Sequence, residues 1–522
     1  MLLFFKIKVI LRPHNRYIHV EMKDHDKIVS ESERHLFDRI LKYTGVFGGV
    51  QGVAIVVTLI LNMVKSRLLG PAGYGITESL NRNTDLIRNS TNLGIATAAV
   101  PEISRCQESA DTRNEKILIT RSWALMTAIL GMMICLILAP LLSRWAFNGD
   151  GSFAASFMGM SVTVAATAVT GGETAILRGT GMIRQIALSQ LFAGLLSLCI
   201  SIPFFWFMRM DGIVPALALS ALGSTSATCF YSCRIFPYKA RPFSWRVLRK
   251  GTGMIGFGIF FTIAAFIGAW AWSFVAKYLT GQGGTELTGT YSAGYMLVTY
   301  LSMLLLSVTE SEYYPRLSAS CSEMNEVHSL MNSQSLAMCM LAAPLVILFM
   351  ICLPVVVFVV LEYEKFRMSI PLAQIAVIGL FFKSIYQPIA FVIIARSDSV
   401  VYLIQETVCN ILLVVCVVLG YKLCGFMGIG VSLAVWEFAY LLQVLITTKL
   451  RYGFIVSRVL VRNFFIHGIL VVIAAVGLNA GSSVGFALSV AACAVSILIS
   501  IRFFSTHSTF IGELLSRLRH KS

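Results

Sequence analysis

Between Gly75 and Val100 an otherwise apolar stretch collects Glu78, Asn81, Arg82, Asn83, Asp85, Arg88, Asn89 and Asn92. At 100° per residue all of them except Asn83 fall within an arc of roughly 120° on a helix, with Leu80, Leu86, Ile87 and Leu93 outside it. A charged side chain at membrane depth costs about 2.5–3.5 kcal/mol even on the lenient insertion scale. Four such charges in one helix are therefore tolerable only facing water or one another. The spacing offers partners: Glu78 and Arg82 are an i,i+4 pair, while Arg82–Asp85 and Asp85–Arg88 are i,i+3 pairs. Two readings are open. The stripe either neutralises itself and glues its helix to a neighbour, or it walls a hydrated cavity whose pairs open when an anion arrives.

Other polar groups in apolar runs stand singly. Lys383 precedes Ser384-Ile385-Tyr386-Gln387-Pro388, where the proline should kink the helix and free carbonyls. Lys383 could face a cavity as an anion ligand, or snorkel or pair with a carboxylate. Glu310 and Glu312 fall at the end of a span, where interfacial solvation and a coupling role are equally open. Glu173 with Arg178, Glu406 and Glu437 read as groups near helix ends, and His467 as a packing histidine. Gly251-Thr252-Gly253-Met254-Ile255-Gly256 fits GxGxxG but opens an apolar span with no strand before it and no acidic residue at the required distance. There is no Walker-type loop, no HExxH and no metal-like cysteine cluster, so no catalytic or metal-binding motif is expected. Cys229 and Cys233 lie one turn apart in an apolar run and read as buried free thiols.

The elements that must carry these groups follow from composition. Of 522 residues 57% are hydrophobic and 13% charged, with a mean hydropathy of +0.77. A soluble domain carries about 25% charged residues. Soluble enzymes, disordered chains and coiled coils are excluded; an all-α, polytopic integral membrane protein is expected. A ruler of about 20 apolar residues marks about 14 spans, from about 45–64 to about 484–503, joined by short gaps. The net charge of +16 would ordinarily suggest an anionic partner. Here about 31 of the basic residues fall on one side of the spans against about 8 on the other. That asymmetry places both termini in the cytoplasm, calls for no nucleic acid, and makes most of the charge a matter of topology. Residues 32–43 read as an interfacial amphipathic helix feeding span one; Met1–Leu11 lacks a signal-peptide cleavage site, and Met22 would serve equally well as a translation start.

An internal repeat is visible at matched places. Val100-Pro101-Glu102-Ile103-Ser104 closes span two, and Tyr314-Pro315-Arg316-Leu317-Ser318 closes span eight. Gly212-Ile213-Val214-Pro215-Ala216-Leu217 opens span six as Gly428-Ile429-Gly430-Val431-Ser432-Leu433 opens span twelve. An offset of six spans predicts two halves of like orientation about an axis along the membrane normal. The expected plan is an N-terminal segment 1–44, a six-helix lobe 45–233, a basic cytoplasmic linker 234–250, a second lobe 251–450, two additional helices within 464–504 and a tail 505–522.

Leu68-Leu69-Gly70-Pro71-Ala72-Gly73-Tyr74-Gly75, Asn92-Leu93-Gly94-Ile95, Gly289-Thr290-Tyr291-Ser292-Ala293, Tyr314-Pro315-Arg316-Leu317 and Ala395-Arg396-Ser397-Asp398-Ser399 together resemble the polysaccharide-exporting branch of the multidrug/oligosaccharidyl-lipid/polysaccharide flippase superfamily. Its members are the bacterial Wzx-type O-antigen and capsule-repeat flippases. The resemblance covers about residues 36–450. It implies two six-helix lobes around a central cavity, alternating access, and an undecaprenyl-diphosphate-linked oligosaccharide cargo turned across the bacterial inner membrane. It also implies no cofactor beyond a coupling H⁺ or Na⁺, and a polysaccharide polymerase and glycosyltransferases as partners. Carried onto this sequence, Arg67, Arg82, Arg88 and Lys383 are candidates for the diphosphate, and Asn81, Asn89 and Asn92 for sugar hydroxyls. Glu78 and Asp85 depart from a simple basic cavity and suggest a proton-sensitive gate, with Glu310 as a further coupling candidate. The rivals are a cation-coupled drug antiporter, a peptidoglycan-precursor flippase and, more remotely, a membrane glycosyltransferase or polymerase. Drug antiport would want acidic residues in the early spans, and span one has none.

Overall fold

A computed structural model describes residues 31–104, 110–309, 313–321 and 323–507; Glu310 and Glu312, both singled out above, lie outside them, as do the first 30 residues and most of the expected tail. Among the described residues the chain is helical and contains no strand. The helices are α1 (Glu31–Thr91), α2 (Ile95–Ser104), α3 (Ala110–Ala146), α4 (Ala154–Gly179), α5 (Ile183–Met208), α6 (Ile213–Cys233), α7 (Trp245–Lys250), α8 (Thr252–Val308), α9 (Tyr314–Ala319), α10 (Met324–Val360), α11 (Tyr363–Phe366), α12 (Ser369–Ala376), α13 (Ile378–Ala395), α14 (Ser399–Tyr452), α15 (Arg458–Asn479) and α16 (Ser483–His507). Among the described residues ten stretches are long and apolar enough to cross a membrane, and the outward faces carry large apolar side chains such as Ile137, Phe207, Leu423 and Leu498. In water such a surface would aggregate; in lipid it is the ordinary exterior. This is an all-α, polytopic membrane protein.

The longest helices are not single rods. α1 breaks at Gly70 (φ 65°, ψ −172°), α8 at Gly283–Gly284 and α14 at Gly425, each within a gap expected between spans. Gly70 and Gly284, 214 positions apart as Pro101 and Pro315 are, adopt nearly the same conformation, Gly284 having φ 69° and ψ −170°. Only glycine visits that region without strain, so the two turns are a structural counterpart of the repeat seen in the sequence. The 3₁₀ turn Arg209–Gly212 separates α5 from α6 in the same way.

One expectation needs correcting. The polar second span, expected to run unbroken to Val100, stops at Thr91; Leu93 (φ 49°) and Gly94 (φ 64°) reverse the backbone before α2. Two successive left-handed residues cannot continue a right-handed helix, so Asn92 sits in the turn and not on the helical face. Pro388 lies inside α13, which is one continuous helix, and the chain breaks instead at Val377, between α12 and α13. The carbonyls around Pro388 have taken other partners: Ser335 Oγ donates to Ile385 at 2.9 Å and Tyr313 Oη donates to Pro388 at 2.9 Å.

Buried apolar side chains form three clusters. Two use residues before Arg249, centred on Leu80, Phe157 and Met160 and on Ile103, Ile117 and Ile176. The third draws on residues from Ala271 to Phe504, and Tyr74 joins it from the early helices. α1 and α8 meet at one place. A Cβ on Gly75 would strike the Thr285 carbonyl and lie 2.9 Å from the Gly289 nitrogen, while a Cβ on Gly289 would strike the Pro71 carbonyl and lie 2.8 Å from the Gly75 nitrogen. The contact is reciprocal, as a two-fold relation between repeats requires.

Candidate functional site

The stripe is helical from Glu78 to Asn89 and lies near the junction of the two halves. Leu80, 1% exposed, and Ile87 pack into an N-terminal core cluster. Asn83, outside the predicted arc, is buried, and its Oδ1 accepts from Ser273 Oγ of α8 at 2.8 Å. Two expected pairs form: Arg82 Nε donates to Glu78 Oε1 at 2.7 Å, and Arg88 Nη2 lies 3.0 Å from Asp85 Oδ1. Arg82 and Asp85 do not close into a third pair; the Arg82 guanidinium instead lies over the Trp272 ring, 5.1 Å from its centroid. Glu78 is 20% exposed, Arg82 29%, Arg88 35% and Asp85 40%. Exposure rises from Glu78 to Asp85 and is slightly lower again at Arg88. Asn81, Asn89 and Asn92 are half-buried, and among the described residues their side chains make no hydrogen bond.

Lys65 belongs to the same neighbourhood and was not anticipated. Its ammonium lies over the Tyr74 ring, 3.7 Å from the centroid, and its charge acts on Glu78. Glu78 is thus paired with Arg82 and within Coulombic reach of Lys65, so a cation from before the Gly70 break joins a stripe that sums to zero. Tyr74 Oη donates to Asn62 Oδ1 at 2.9 Å, and Asn62 Nδ2 donates to Tyr300 at 3.0 Å. The only sequence cue to Lys65 is its place one residue beyond the expected end of span one.

Arg67 lies apart from this group, exposed, with Nη2 donating to the Val359 carbonyl at 3.2 Å. Lys383 is in a second cleft, about 60 Å³, that also touches Tyr295, Trp436 and Glu437. Its charge acts on Glu437 and Glu406, neither of which terminates its helical segment. Each carboxylate accepts a phenolic hydrogen bond, Glu437 from Tyr386 at 2.5 Å and Glu406 from Tyr440 at 2.6 Å. The expectation of helix-end groups fails because α14 continues well past both. Glu173 fails differently. Its partner is not Arg178, which is exposed, but Arg121 of α3, whose Nε and Nη2 donate to the two carboxylate oxygens at 2.8 and 2.9 Å. Arg121 is 1% exposed and also donates to the Phe236 and Pro237 carbonyls. With Trp123 Nε1 donating to Leu248, Arg241 N donating to Ser122, and Lys250 paired to Glu115, this ties residues 234–250 to α3.

His467 packs against Ser496, Nδ1 to Oγ 3.0 Å, as a packing histidine would. Cys229 and Cys233 are half-buried and unbridged. Among the described residues no cluster of His, Cys, Asp or Glu could hold a metal ion.

Helices paired across a polar cleft, with glycine-broken hairpins repeated in each half, define a class of membrane fold, and solved structures show which. The fold matches an inward-facing multidrug resistance MATE family transporter of the MOP superfamily with TM-score 0.61, at 12% identity, over 80% of this chain and 98% of that one. It matches lipid II flippase MurJ in an inward closed conformation, TM-score 0.61, 13% identity, over 90% and 99%. The Vibrio cholerae MATE transporter VcmN in its bent form gives TM-score 0.57 at 14% identity, over 84% and 99%. The chain shares its fold with these transporters and this flippase. The sequence profile described as polysaccharide biosynthesis protein matches residues 40–321, more than half of the chain, which therefore belongs to that family. No curated protein matches significantly.

Proposed function

We propose that this protein turns an undecaprenyl-diphosphate-linked oligosaccharide, an O-antigen, capsule or exopolysaccharide repeat unit, across the bacterial cytoplasmic membrane by alternating access. The observation that carries this reading is the half-buried row Lys65, Glu78, Arg82, Asp85 and Arg88 near the junction of the two halves of a chain from a polysaccharide-biosynthesis family. Arg82 and Arg88 take the diphosphate, since guanidinium forks hold phosphate oxygens bidentately, most strongly where water is scarce. Lys65 adds a point charge beside them, Arg67 is a secondary candidate, and Lys383 meets the cargo from the second cleft. Asn81, Asn89 and Asn92, half-buried and unbonded among the described residues, suit hydroxyl groups.

In this reading the chain crosses the membrane fourteen times, with both termini cytoplasmic. The lobes are 45–233 and 251–450, residues 234–250 are the linker, and 464–504 supplies two further helices. Glycosyltransferases and a polymerase act before and after the flip. Glu78 and Asp85 gate the cleft, because each holds an arginine that the diphosphate must capture. Removing the charges of Arg82, Arg88 and Lys383 together should leave lipid-linked oligosaccharide on the inner leaflet of cells. Unchanged export would refute the assignment.

A second reading has one observation in its favour. Glu406 and Glu437 place two carboxyl groups in α14, able to take a cation although later in the chain than the early spans where drug antiport would want them. That reading expects loss of drug resistance, not of surface polysaccharide, when the gene is deleted.

A further inference from the structure

The cleft around Lys383 is a different environment from the arginine row. It lies between the part of α8 after Gly284, α13 and the part of α14 after Gly425, and is lined by Tyr295, Thr299, Ser302, Lys383, Trp436 and Glu437. Its two aromatic rings are held from behind. Trp436 is fixed by its Nε1–H, which donates to the Cys409 carbonyl at 2.9 Å, and by an edge contact with Trp272 at 5.9 Å. Tyr295 packs at 5.0 Å on Trp272 and stacks at 6.0 Å on Tyr291. The same Trp272 carries Arg82 on its ring, so an unbroken run of aromatic contacts links the arginine row to this cleft.

The polar groups are poised but unspent. Glu437 is 7% exposed and uses Oε2 to accept from Tyr386; among the described residues its Oε1 has no hydrogen bond. Lys383 Nζ likewise has no hydrogen bond or ion pair among the described residues, although it lines the same cleft as Glu437. Lys383 is the one basic residue among the described residues that line this cleft, whereas the row on α1 offers two arginines for a diphosphate. What suits rigid aromatic faces edged by a spare acceptor, a spare donor and two hydroxyls is a pyranose ring, apolar on its C–H face and ringed with hydroxyl groups.

We propose that this cleft is a sugar subsite: Tyr295 and Trp436 pack on the C–H face of one pyranose of the cargo, Glu437 Oε1 accepts from a ring hydroxyl, and Lys383 donates to another. The proposal rests on the oligosaccharide reading above and divides the cargo between two places, diphosphate on the arginine row and sugar on the aromatic cleft.

The test uses full-length protein in lipid nanodiscs and two probes. One is bare undecaprenyl diphosphate; the other is the undecaprenyl-diphosphate-linked oligosaccharide fraction extracted from the cells that make the protein. The sugar-bearing lipid should bind more tightly. Trp436→Ala and Tyr295→Ala should each weaken it about tenfold, the effect of ~1.4 kcal/mol, while leaving the bare lipid within about twofold, which also reports an intact fold. Trp436→Phe, which keeps a ring, should retain most of the affinity. Equal binding of both probes by the wild type, or variants that weaken both probes alike or neither, would overturn the subsite and leave the transport reading standing. Binding of neither probe by the wild type would overturn both.

Discussion

Gly75 and Gly289 bring α1 and α8 into backbone contact beside the charged row, and an added methyl group should part the helices there. A Cβ at Gly75 meets backbone, the Thr285 carbonyl and the Gly289 nitrogen at 2.9 Å, so no side-chain rotation relieves the clash. The helices must separate by roughly the deficit from ordinary contact, and overpacking of this kind costs about 1–3 kcal/mol. Alanine also improves helix propensity by about 1 kcal/mol, but that gain is common to every state of the transporter and cancels. The net effect falls on the state in which the two helices touch here, whose population relative to the state with them parted should drop about 5- to 150-fold. Met296, whose sulfur accepts from Tyr74 at 2.9 Å, reports on this junction. In a cysteine-free background, Met296→Cys should label slowly with a membrane-impermeant thiol reagent added from the periplasmic side, and at least several-fold faster when Gly75→Ala is present. A cysteine at Asp85 should change in the opposite sense in inside-out vesicles. Gly52→Ala, where a Cβ meets nothing within 4 Å, is the control. Equal labelling of Met296→Cys with and without the Gly75→Ala substitution would refute the idea that this contact holds the helices together.

Other expectations follow from the charged groups. Arg121→Ala or Glu173→Ala strands a buried charge and should cost about 3–5 kcal/mol, read as a lower melting temperature of the purified protein. An Arg121→Met/Glu173→Leu pair should recover much of the loss, and single variants that melt like the parent would contradict the burial argument. Asp85→Asn imitates the protonated carboxyl and leaves Arg88 without its ion-pair partner, so export should lose its response to acidification. A pH profile that matches the parent counts against a gate at Asp85.

Much of the fold is legible in the sequence for a simple reason: lipid imposes a one-dimensional rule. Each crossing must be apolar over its length and satisfy its own backbone hydrogen bonds, so the glycine breaks at Gly70, Gly284 and Gly425 fall in the expected gaps. The helical stripe is equally local, because Glu78–Arg82 and Asp85–Arg88 are decided by 3.6-residue periodicity. Pairings across the fold are not local. Nothing in the chain order says that Glu173 meets Arg121, that Lys65 joins Glu78, or that Trp272 lies beneath Arg82, since each depends on which helix packs beside which. The charge of the cleft changes with those neighbours: the stripe alone sums to zero, and only the packed structure adds Lys65 to one end and sets Lys383 beside two glutamates elsewhere. Sequence determined the solvent, the helices and the polar face; tertiary packing decided which charges share a space, because electrostatic energy depends on distance in three dimensions and not along the chain.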